Sequence, residues 1–337
     1  MYVSKASAAR RLAAAAAFGG GGLGLLGGSL YGVLRAEATW ARRIIGPRGE
    51  NPPDGSGVYG SGMSGKPIRL AVLGDSAASG YGVDDPDQTL AAVLAAGLAE
   101  IAGRPVRVTV DAMVGAQSKD LHKQVTKALA ALPEVAVIII GTNDVTHRVR
   151  PSDSVRALED GVCRLRKSGC EVVVGTCPDL GTLRPIAQPL RYVARLWSRR
   201  LAAAQTIVVV EAGGRSVSLG SLLGPEFSRE PHRYFGPDQF HPSAAGYASV
   251  AAAMLPSLAA VLGLAPEAEE SPDAFRGEGV LPVSYAAAEA ARAAGTEVAA
   301  TEIAGRELGD RGRWAALRHR RRRPLPDVER LADSEAP

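Results

Sequence analysis

The chain has 337 residues, a formal net charge of +4 and a hydrophobic content of 46%. This length and apolar content allow one large domain or two ordinary ones, with a sizeable core. Residues 67–263 carry 20 basic and 18 acidic side chains, so this part lacks the broad basic surface that nucleic-acid binding requires.

The first segment of the chain has the pattern of an export signal or a membrane anchor. Three basic residues among the first eleven precede an uncharged stretch, Leu12–Leu34, which is long enough to cross a bilayer. A cleaved signal and a retained anchor are both open interpretations, and the length of the stretch favours the anchor. The basic start keeps the N-terminus cytoplasmic. We therefore expect residues 1–38 to place the rest outside, either membrane-anchored or secreted.

Residues 39–66 are rich in glycine and proline and predict a linker. Beyond it, through residues 67–263, apolar strand-like runs alternate with helical segments. This alternation predicts an α/β domain: a flavodoxin-like, doubly wound parallel sheet of five strands with helices on both faces. The predicted strands are Ile68–Leu73, Val106–Val110, Val135–Ile140, Glu171–Gly175 and Thr206–Val210. The predicted helices cover Gln88–Ala102, Ser118–Leu132, Ser152–Lys167, Pro189–Ala204 and Ser243–Leu262.

The composition changes at residues 264–337, which are rich in alanine, glutamate and arginine. We expect a tail that is partly helical or disordered, with a helix over Ala286–Ala300. A basic run, Arg320–Arg323, lies near its end. It could contact an anionic lipid or polymer, but the segment is net acidic, which favours a solvated tail.

The most informative stretch follows the first predicted strand. That strand ends at Gly74, and Asp75 and Ser76 come directly after it. In an open α/β sheet, ligands bind at the carboxyl ends of the strands, so a serine at this point can act as a nucleophile. By itself, Gly-Asp-Ser is also typical of an ordinary turn.

Further polar clusters fall at the same predicted edge. Gly115 follows the second strand, Asn143 follows the third, and Asp238 and His241 precede the last helix. The three-residue spacing of Asp238 and His241 can bring the carboxylate to one ring nitrogen and leave the other for a serine. A capping aspartate beside a surface histidine is the simpler interpretation of that pair. Together, however, these residues make the set that acyl transfer needs: nucleophile, base, orienting acid and oxyanion donors.

In their order, these blocks resemble the SGNH hydrolase family, also called the GDSL esterases and lipases. The family's first block matches Gly74-Asp75-Ser76, although Ala77 replaces the leucine that follows. Its second-block glycine matches Gly115. Its Gly-x-Asn-Asp block matches Gly141–Asp144, and its Asp-x-x-His block matches Asp238 to His241. The resemblance covers residues 67–263.

This resemblance implies the SGNH hydrolase fold and hydrolysis of a small-molecule or lipid ester, with no metal or organic cofactor. It implies that Ser76 is the nucleophile, His241 the base and Asp238 the acid. It also implies an oxyanion hole formed by the N–H groups of Ser76 and Gly115 and the side chain of Asn143. We expect a monomer that does not bind nucleic acid. The competing hypothesis is a membrane-anchored binding module on a non-catalytic hydrolase fold.

Overall fold

The computed structural model describes residues 31–41, 43, 51–220, 230–265, 278–293, 295–301 and 314–319. The strands within these residues are β1 (Gly57–Tyr59), β2 (Ile68–Gly74), β3 (Val106–Val110), β4 (Val135–Ile139), β5 (Glu171–Gly175), β6 (Arg215–Val217), β7 (Gly279–Pro282), β8 (Thr296–Ala300) and β9 (Trp314–His319). The helices are α1 (residues 31–41), α2 (Leu90–Ala102), α3 (Leu121–Leu129), α4 (Thr142–Thr146), α5 (Pro151–Lys167), α6 (Leu190–Glu211), α7 (Pro231–Tyr234), α8 (Ala244–Val261) and α9 (Val283–Ala290).

All of the described strands belong to a single sheet, in the order β1-β3-β2-β4-β5-β6-β8-β9-β7. The neighbours from β3 to β6 pair in parallel. The strands at both edges are antiparallel. The predicted α/β class with a mostly parallel sheet is therefore confirmed. The described sheet is larger than the predicted five strands: five parallel strands form its centre, and four antiparallel strands extend it at the edges.

Helices cover both faces of the sheet, as the alternation along β2 shows. Leu70 and Val72 pack on one face, in a cluster with residues of α2 and α8. Ala71 and Leu73 point to the other face, in a cluster with residues of α3 and α5. Successive side chains of a strand lie on opposite faces, and a strand buried on both faces is apolar throughout. This explains why β4 has no polar side chain and β2 has only Arg69.

The fifth predicted strand, Thr206–Val210, is wrong. These residues lie within α6, where Ala202, Thr206, Val209 and Val210 are buried. Their spacing of three and four residues is helical, and this packing overrides the strand preference of β-branched side chains. The parallel strand at this position is β6, which is only three residues long and follows the Gly213-Gly214 turn.

The segment beyond residue 264 also differs from the expected tail. The helix predicted over Ala286–Ala300 ends at Ala290, and Thr296–Ala300 is a strand instead. Strand β8 pairs with β6 and β9, and β9 pairs with β7, so these three strands extend the sheet that carries the rest of the domain. Arg320–Arg323 lie outside the described residues.

The buried carboxylate of Glu297 links this extension to the parallel part of the sheet. It lies 3.1 Å from Arg215 on β6 and accepts a 2.5 Å hydrogen bond from Ser257 on α8. The Glu297 side chain is fully buried. The strands β6 and β8 are therefore joined both by their backbone hydrogen bonds and by the ion pair between Arg215 and Glu297.

The N-terminal region is more structured than a linker. Residues 39–66 include the end of α1 and strand β1, which pairs with β3. Helix α1 packs on the domain: Glu37 accepts a hydrogen bond from the Leu190 N–H at 2.9 Å, and Ala41 is buried. Most of the predicted membrane segment, residues 12–30, lies outside the described residues. Assignment of residues 1–38 to an anchor or a signal stays a prediction.

Among the described residues, α8 alone has the length and hydropathy of a membrane span. Its side chains Tyr247, Met254 and Leu258 are fully buried in the core cluster. The apolar character of α8 is therefore explained by its position against the sheet.

Candidate active site

The loop after β2 brings Ser76 to the carboxyl edge of the sheet. Gly74 has a φ of +139°, and a Cβ atom there would lie 1.8 Å from the carbonyl oxygen of Ile139. Only glycine fits this close approach. The chain then turns, with the Asp75 N–H donating to Ile139 and the Ser79 N–H donating to Asp75. Ser76 is therefore held on a tight turn beside the end of β4.

Ser76, His241 and Asp238 form a continuous hydrogen-bonded chain. The Ser76 Oγ lies 3.0 Å from His241 Nε2, and His241 Nδ1 lies 2.5 Å from Asp238 Oδ2. Because the carboxylate faces Nδ1, the neutral ring carries its proton there and Nε2 accepts from the hydroxyl. The structure thus brings together the three side chains predicted to act as nucleophile, base and acid, although 165 positions separate Ser76 from His241.

The turn before α8 holds Asp238 in its charged form. Burial alone would raise the pKa of this carboxyl, but hydrogen bonds from His241 and from the Phe240 and His241 backbone N–H groups lower it below its ordinary value. Both N–H groups donate to Asp238 Oδ1 at 3.0 Å. Asp238 is therefore ionised at neutral pH and can stabilise a protonated imidazole.

Aromatic side chains fix the His241 ring from two sides. The Tyr81 ring centroid lies 4.4 Å from that of His241, and the Phe240 ring lies 4.8 Å away in an edge-on contact. The buried Tyr247 hydroxyl donates to the Tyr81 carbonyl at 2.6 Å. A Cβ at Gly82 would lie 2.9 Å from the His241 Cβ, so this glycine permits the close approach of the two loops. Sequence reasoning missed these supporting residues, which carry no motif of their own.

The predicted oxyanion donors come from three loops at the same sheet edge. The Asn143 Nδ2 donates to the Ala116 carbonyl at 3.0 Å, which leaves its second N–H for another acceptor. Among the described residues, the N–H groups of Ser76 and Gly115 donate to no other group. The Met113 N–H donates to the Gly74 carbonyl at 3.1 Å, which ties the Gly115 loop to the strand before Ser76.

A buried polar network positions the loop that carries Asn143. The Asp144 carboxylate accepts hydrogen bonds from the Ser118 backbone N–H and hydroxyl and from the Ser154 hydroxyl. Burial raises the pKa of Asp144, while these hydrogen bonds act in the opposite direction. Asp144 therefore joins α4, α5 and the loop after Gly115. The sequence block that contains it predicted the location but not this role.

Two buried glutamines clamp strand ends beside the site. The Gln124 side chain both accepts from the Gly74 N–H and donates to its carbonyl. Gln205 binds the Cys177 N–H and the Ile140 carbonyl in the same way. Each amide bonds one backbone N–H and one backbone carbonyl at the end of a strand. Gln124 has a sequence signal, as the one glutamine on the otherwise apolar buried face of α3, whereas Gln205 shares its buried face with Ser198 and Thr206.

Asp75 is buried with one oxygen unpartnered among the described residues. Its other oxygen accepts from the Ala77 N–H at 3.1 Å. Burial, and secondarily the nearby Asp144 charge, raise the pKa of Asp75 to about 7, against the effect of backbone hydrogen bonds from Ala77 and Thr142. The residue before the candidate nucleophile is therefore a carboxyl group that is partly protonated near neutral pH.

Other polar residues near this edge have structural partners. Asp179 is buried and pairs with Arg199 at 2.9 Å and with Arg195 at 3.5 Å. His147 Nδ1 lies 2.9 Å from the Asn143 carbonyl oxygen. Within the described part of the chain, no three His, Cys, Asp or Glu side chains are grouped to hold a metal ion.

The chain is similar to known proteins over the region that contains this site. The model of the GDSL-like lipase/acylhydrolase family matches residues 72–249. The GDSL-like esterase Rv1075c of Mycobacterium tuberculosis is 42% identical over 232 residues, which are 65% of this chain and 73% of that protein.

Solved structures give a weaker likeness. The crystal structure of TesA is 23% identical, covers 56% of this chain and 97% of its own, and has a TM-score of 0.44. A catalytic mutant of Axe2, an acetylxylan esterase from Geobacillus stearothermophilus, is 18% identical. The match covers 56% of this chain and 93% of Axe2, with a TM-score of 0.45. Family membership does not depend on these structures.

Proposed function

The chain belongs to the GDSL-like lipase/acylhydrolase family, also known as the SGNH hydrolases, and from this premise we propose that it is a serine esterase acting on carboxylic esters through Ser76, His241 and Asp238. The family supports ester hydrolysis in general. The observation that carries the finer proposal is the contact of Ser76 Oγ with His241 Nε2 at 3.0 Å, continued to Asp238 at 2.5 Å.

In the proposed reaction, the Ser76 oxygen attacks the ester carbonyl carbon while its proton passes to His241 Nε2. Asp238, whose carboxylate accepts the hydrogen bond from the His241 Nδ1–H, stabilises the imidazolium that forms. The carbonyl oxygen becomes negatively charged and accepts hydrogen bonds from the N–H groups of Ser76 and Gly115 and from Asn143 Nδ2. Donors already in place stabilise this charge without reorganisation.

The tetrahedral intermediate then collapses. The bond to the alcohol oxygen breaks, His241 returns its proton to the leaving alcohol, and the acyl group remains on Ser76. Water next attacks the acyl carbon while His241 takes its proton. The bond to the Ser76 oxygen then breaks, His241 returns the proton to Ser76, and the carboxylic acid leaves. These steps use only this chain's side chains and backbone.

The proposal is tested with a fluorophosphonate probe, which phosphonylates an activated serine. We expect the intact protein to be labelled at Ser76, as read by peptide mass spectrometry, and the folded Ser76→Ala variant to remain unlabelled. Ser79→Ala is the matched control, because Ser79 is a neighbouring buried serine whose hydroxyl donates to the Ser76 carbonyl. A folded protein that takes no label would favour the non-catalytic binding module.

The ester's identity is a separate question. Lipid-like esters, small acyl esters and O-acetyl groups on cell-wall sugars all suit the proposed chemistry. Rates on a series of nitrophenyl esters from acetyl to long acyl chains would separate them. A preference for the acetyl ester would exclude a lipase, whereas a maximum at long chains would support one.

We also propose that residues 1–38 export the chain and keep it at the membrane, with the catalytic domain outside. The supporting observation is the uncharged stretch of the sequence behind three basic residues. Cell fractionation and protease accessibility of the domain in intact cells test this location. Recovery of the full chain in the cytosol would contradict it.

A further inference from the structure

Among the described residues, six of the twelve exposed large apolar side chains lie on two contacting helices, α1 and α6. Tyr192 is 59% exposed, Trp197 is 44% exposed and Leu196 is 36% exposed, all on α6, and Trp40 on α1 is 60% exposed. On α6, Tyr192 and Leu196 lie one turn apart, opposite the buried Ala194, Ser198 and Leu201. A soluble surface rarely shows so many aromatic side chains together.

The same region has an unusual concentration of arginine. Between Asp179 and Glu211 the sequence contains five arginines and no acidic residue. We name the surface they form with the exposed apolar side chains the aromatic–arginine face. It consists of Trp40, Arg184, Arg191, Tyr192, Arg195, Leu196, Trp197, Arg199 and Arg200.

The two nearby acidic side chains are already engaged. Asp179 is buried and pairs with Arg195 and Arg199, and Glu37 accepts the hydrogen bond from the Leu190 N–H. The guanidinium groups of Arg195 and Arg199 nevertheless remain 45% and 42% exposed. The face is therefore strongly positive where the rest of the domain is nearly neutral.

A cavity of about 350 Å³ opens in this face. It is lined by Thr182, Arg184, Gln188, Arg191, Tyr192 and Arg195. Arg191 donates to the Ile186 and Arg184 carbonyl groups, and Arg195 pairs with Asp179. Each guanidinium has five N–H donors, so the remaining donors, with hydroxyl and amide groups between them, suit a phosphate group. Aromatic side chains at the rim suit the headgroup region of a bilayer, where Trp and Tyr are enriched.

The position of the face along the chain points to the same partner. The uncharged sequence stretch ends at Leu34, and this residue lies on α1, whose Glu37 and Ala41 attach it to the face. Trp40 follows Leu34 by only six residues, about 9 Å along a helix. If the preceding segment enters a bilayer, the face lies at its surface.

We propose that the aromatic–arginine face rests on an anionic phospholipid bilayer, with Tyr192, Leu196 and Trp197 among the headgroups and a lipid phosphate in the arginine-lined cavity. Basic residues near an anionic bilayer and interfacial aromatic residues each favour this orientation. The proposal concerns orientation and does not depend on the chemistry of Ser76.

An apolar cluster lies between α6 and the loop that carries His241. The cluster beneath the face contains Ala41, Ile186 and Phe235, with Phe240 packed against it. Phe240 in turn contacts the His241 ring.

The test uses the full chain in vesicles and its tryptophan fluorescence, which needs no enzymatic activity. The tryptophans are Trp40, Trp197 and Trp314. One variant keeps only Trp197 and another only Trp314, with phenylalanine at the other positions. Trp314 is the internal control, because β9 packs near Val210, about 20 Å along α6 from Trp197.

We expect phosphatidylglycerol with brominated acyl chains to quench Trp197 strongly and Trp314 little, with weaker quenching by brominated phosphatidylcholine. The pair Arg195→Gln and Arg200→Gln leaves the Arg199–Asp179 contact in place. It should weaken docking on phosphatidylglycerol roughly 30-fold, because each basic residue near an anionic surface contributes about five-fold. The pair Arg107→Gln and Arg156→Gln removes equal charge from other exposed positions and should have no such effect.

Several outcomes would overturn the proposal. Equal quenching of Trp197 and Trp314 would show that the face does not meet the bilayer. If quenching is equal on the two lipids and unchanged by the Arg195 and Arg200 substitutions, the arginine side chains do not bind a lipid phosphate. Protection of Trp197 from both bromolipid and aqueous acrylamide would show that protein covers the face. A thermal melt confirms that each variant is folded, and the single-tryptophan comparison stands without the arginine variants.

Discussion

The side-chain amide of Asn143 donates a hydrogen bond to the carbonyl oxygen of Ala116, 3.0 Å away. This contact joins the loop after β4 to the residue beside Gly115. It orients the amide so that one N–H is used and the other remains for a ligand. The contact stabilises the loop, and we propose that the second N–H stabilises an oxyanion.

Asn143→Ala should therefore lower kcat on a short-chain ester by about 10²–10³-fold, with little change in KM, because one transition-state donor is lost. Steady-state kinetics and a thermal melt measure the two roles separately. Thr146→Ala, in the same short helix, is the control and should leave kcat unchanged. A normal kcat with a lowered Tm would limit Asn143 to the structural role.

Removal of Ser76 should nearly abolish ester turnover. Ser76→Ala and His241→Ala should each reduce kcat by about 10⁴–10⁶-fold, and the double variant should lose little more, since the two groups act as a unit. Single-turnover kinetics of the three variants test this non-additivity. Losses that multiply in the double variant would show that the groups act independently.

Asp75 should make the stability of the fold depend on pH. Its pKa is raised from 3.8 to about 7 by burial, so the folded protein binds this proton more tightly than the unfolded chain. The bound proton of Asp75 contributes its full stabilisation of the fold at acidic pH, and this contribution is lost as the pH rises through about 7. The free energy of unfolding should fall by an amount on the order of 4 kcal/mol from about pH 4 to about pH 8.

Asp75→Asn should flatten this pH dependence, because an amide does not ionise while its oxygen can still accept from the Ala77 N–H. Urea unfolding at several pH values measures the slope. The exposed residue Asp84 supplies the control, Asp84→Asn, which should keep the wild-type slope. An unchanged slope in Asp75→Asn would assign the pH dependence to other groups, such as Asp144.

Glu297 should be essential for stability although it lies in the segment expected to be a tail. Glu297→Gln removes the buried carboxylate that lies 3.1 Å from Arg215 and 3.6 Å from Arg318. The free energy of unfolding should fall by about 3 kcal/mol.

Denaturant titration measures this loss. Glu289→Gln, in an exposed pair with Arg292 at 4.0 Å, should cost less than about 1 kcal/mol. Equal effects of the two changes would show that the β6–β8 junction does not depend on the buried charge. Truncation after residue 264, which removes the β8 ladder as well, should destabilise the protein further.

The parallel strands β2 to β5 and the polar residues at their ends could be predicted from the sequence, because both signals are local. A fully buried strand is apolar over consecutive residues, and a glycine or Asx turn marks its end within a few positions. Gly74, Ser76, Asn143 and the Asp238–His241 spacing are all of this kind. Their family resemblance also depends on short blocks in a fixed order.

Contacts between residues far apart in the chain decided the remaining elements of the fold and the geometry of the candidate site. Thr206–Val210 has a strand-like composition, but burial of one face against the domain makes it helical, and β6 forms from three residues with little signal. Thr296–Ala300 becomes a strand because β6 offers an open edge and Arg215 a counter-charge for Glu297. The Ser76–His241 contact, the Gln124 and Gln205 clamps and the alignment of α1 with α6 likewise join positions far apart in the chain. Local propensity differs by less than about 1 kcal/mol per residue between states, so the tertiary contacts with larger energies select the state that forms.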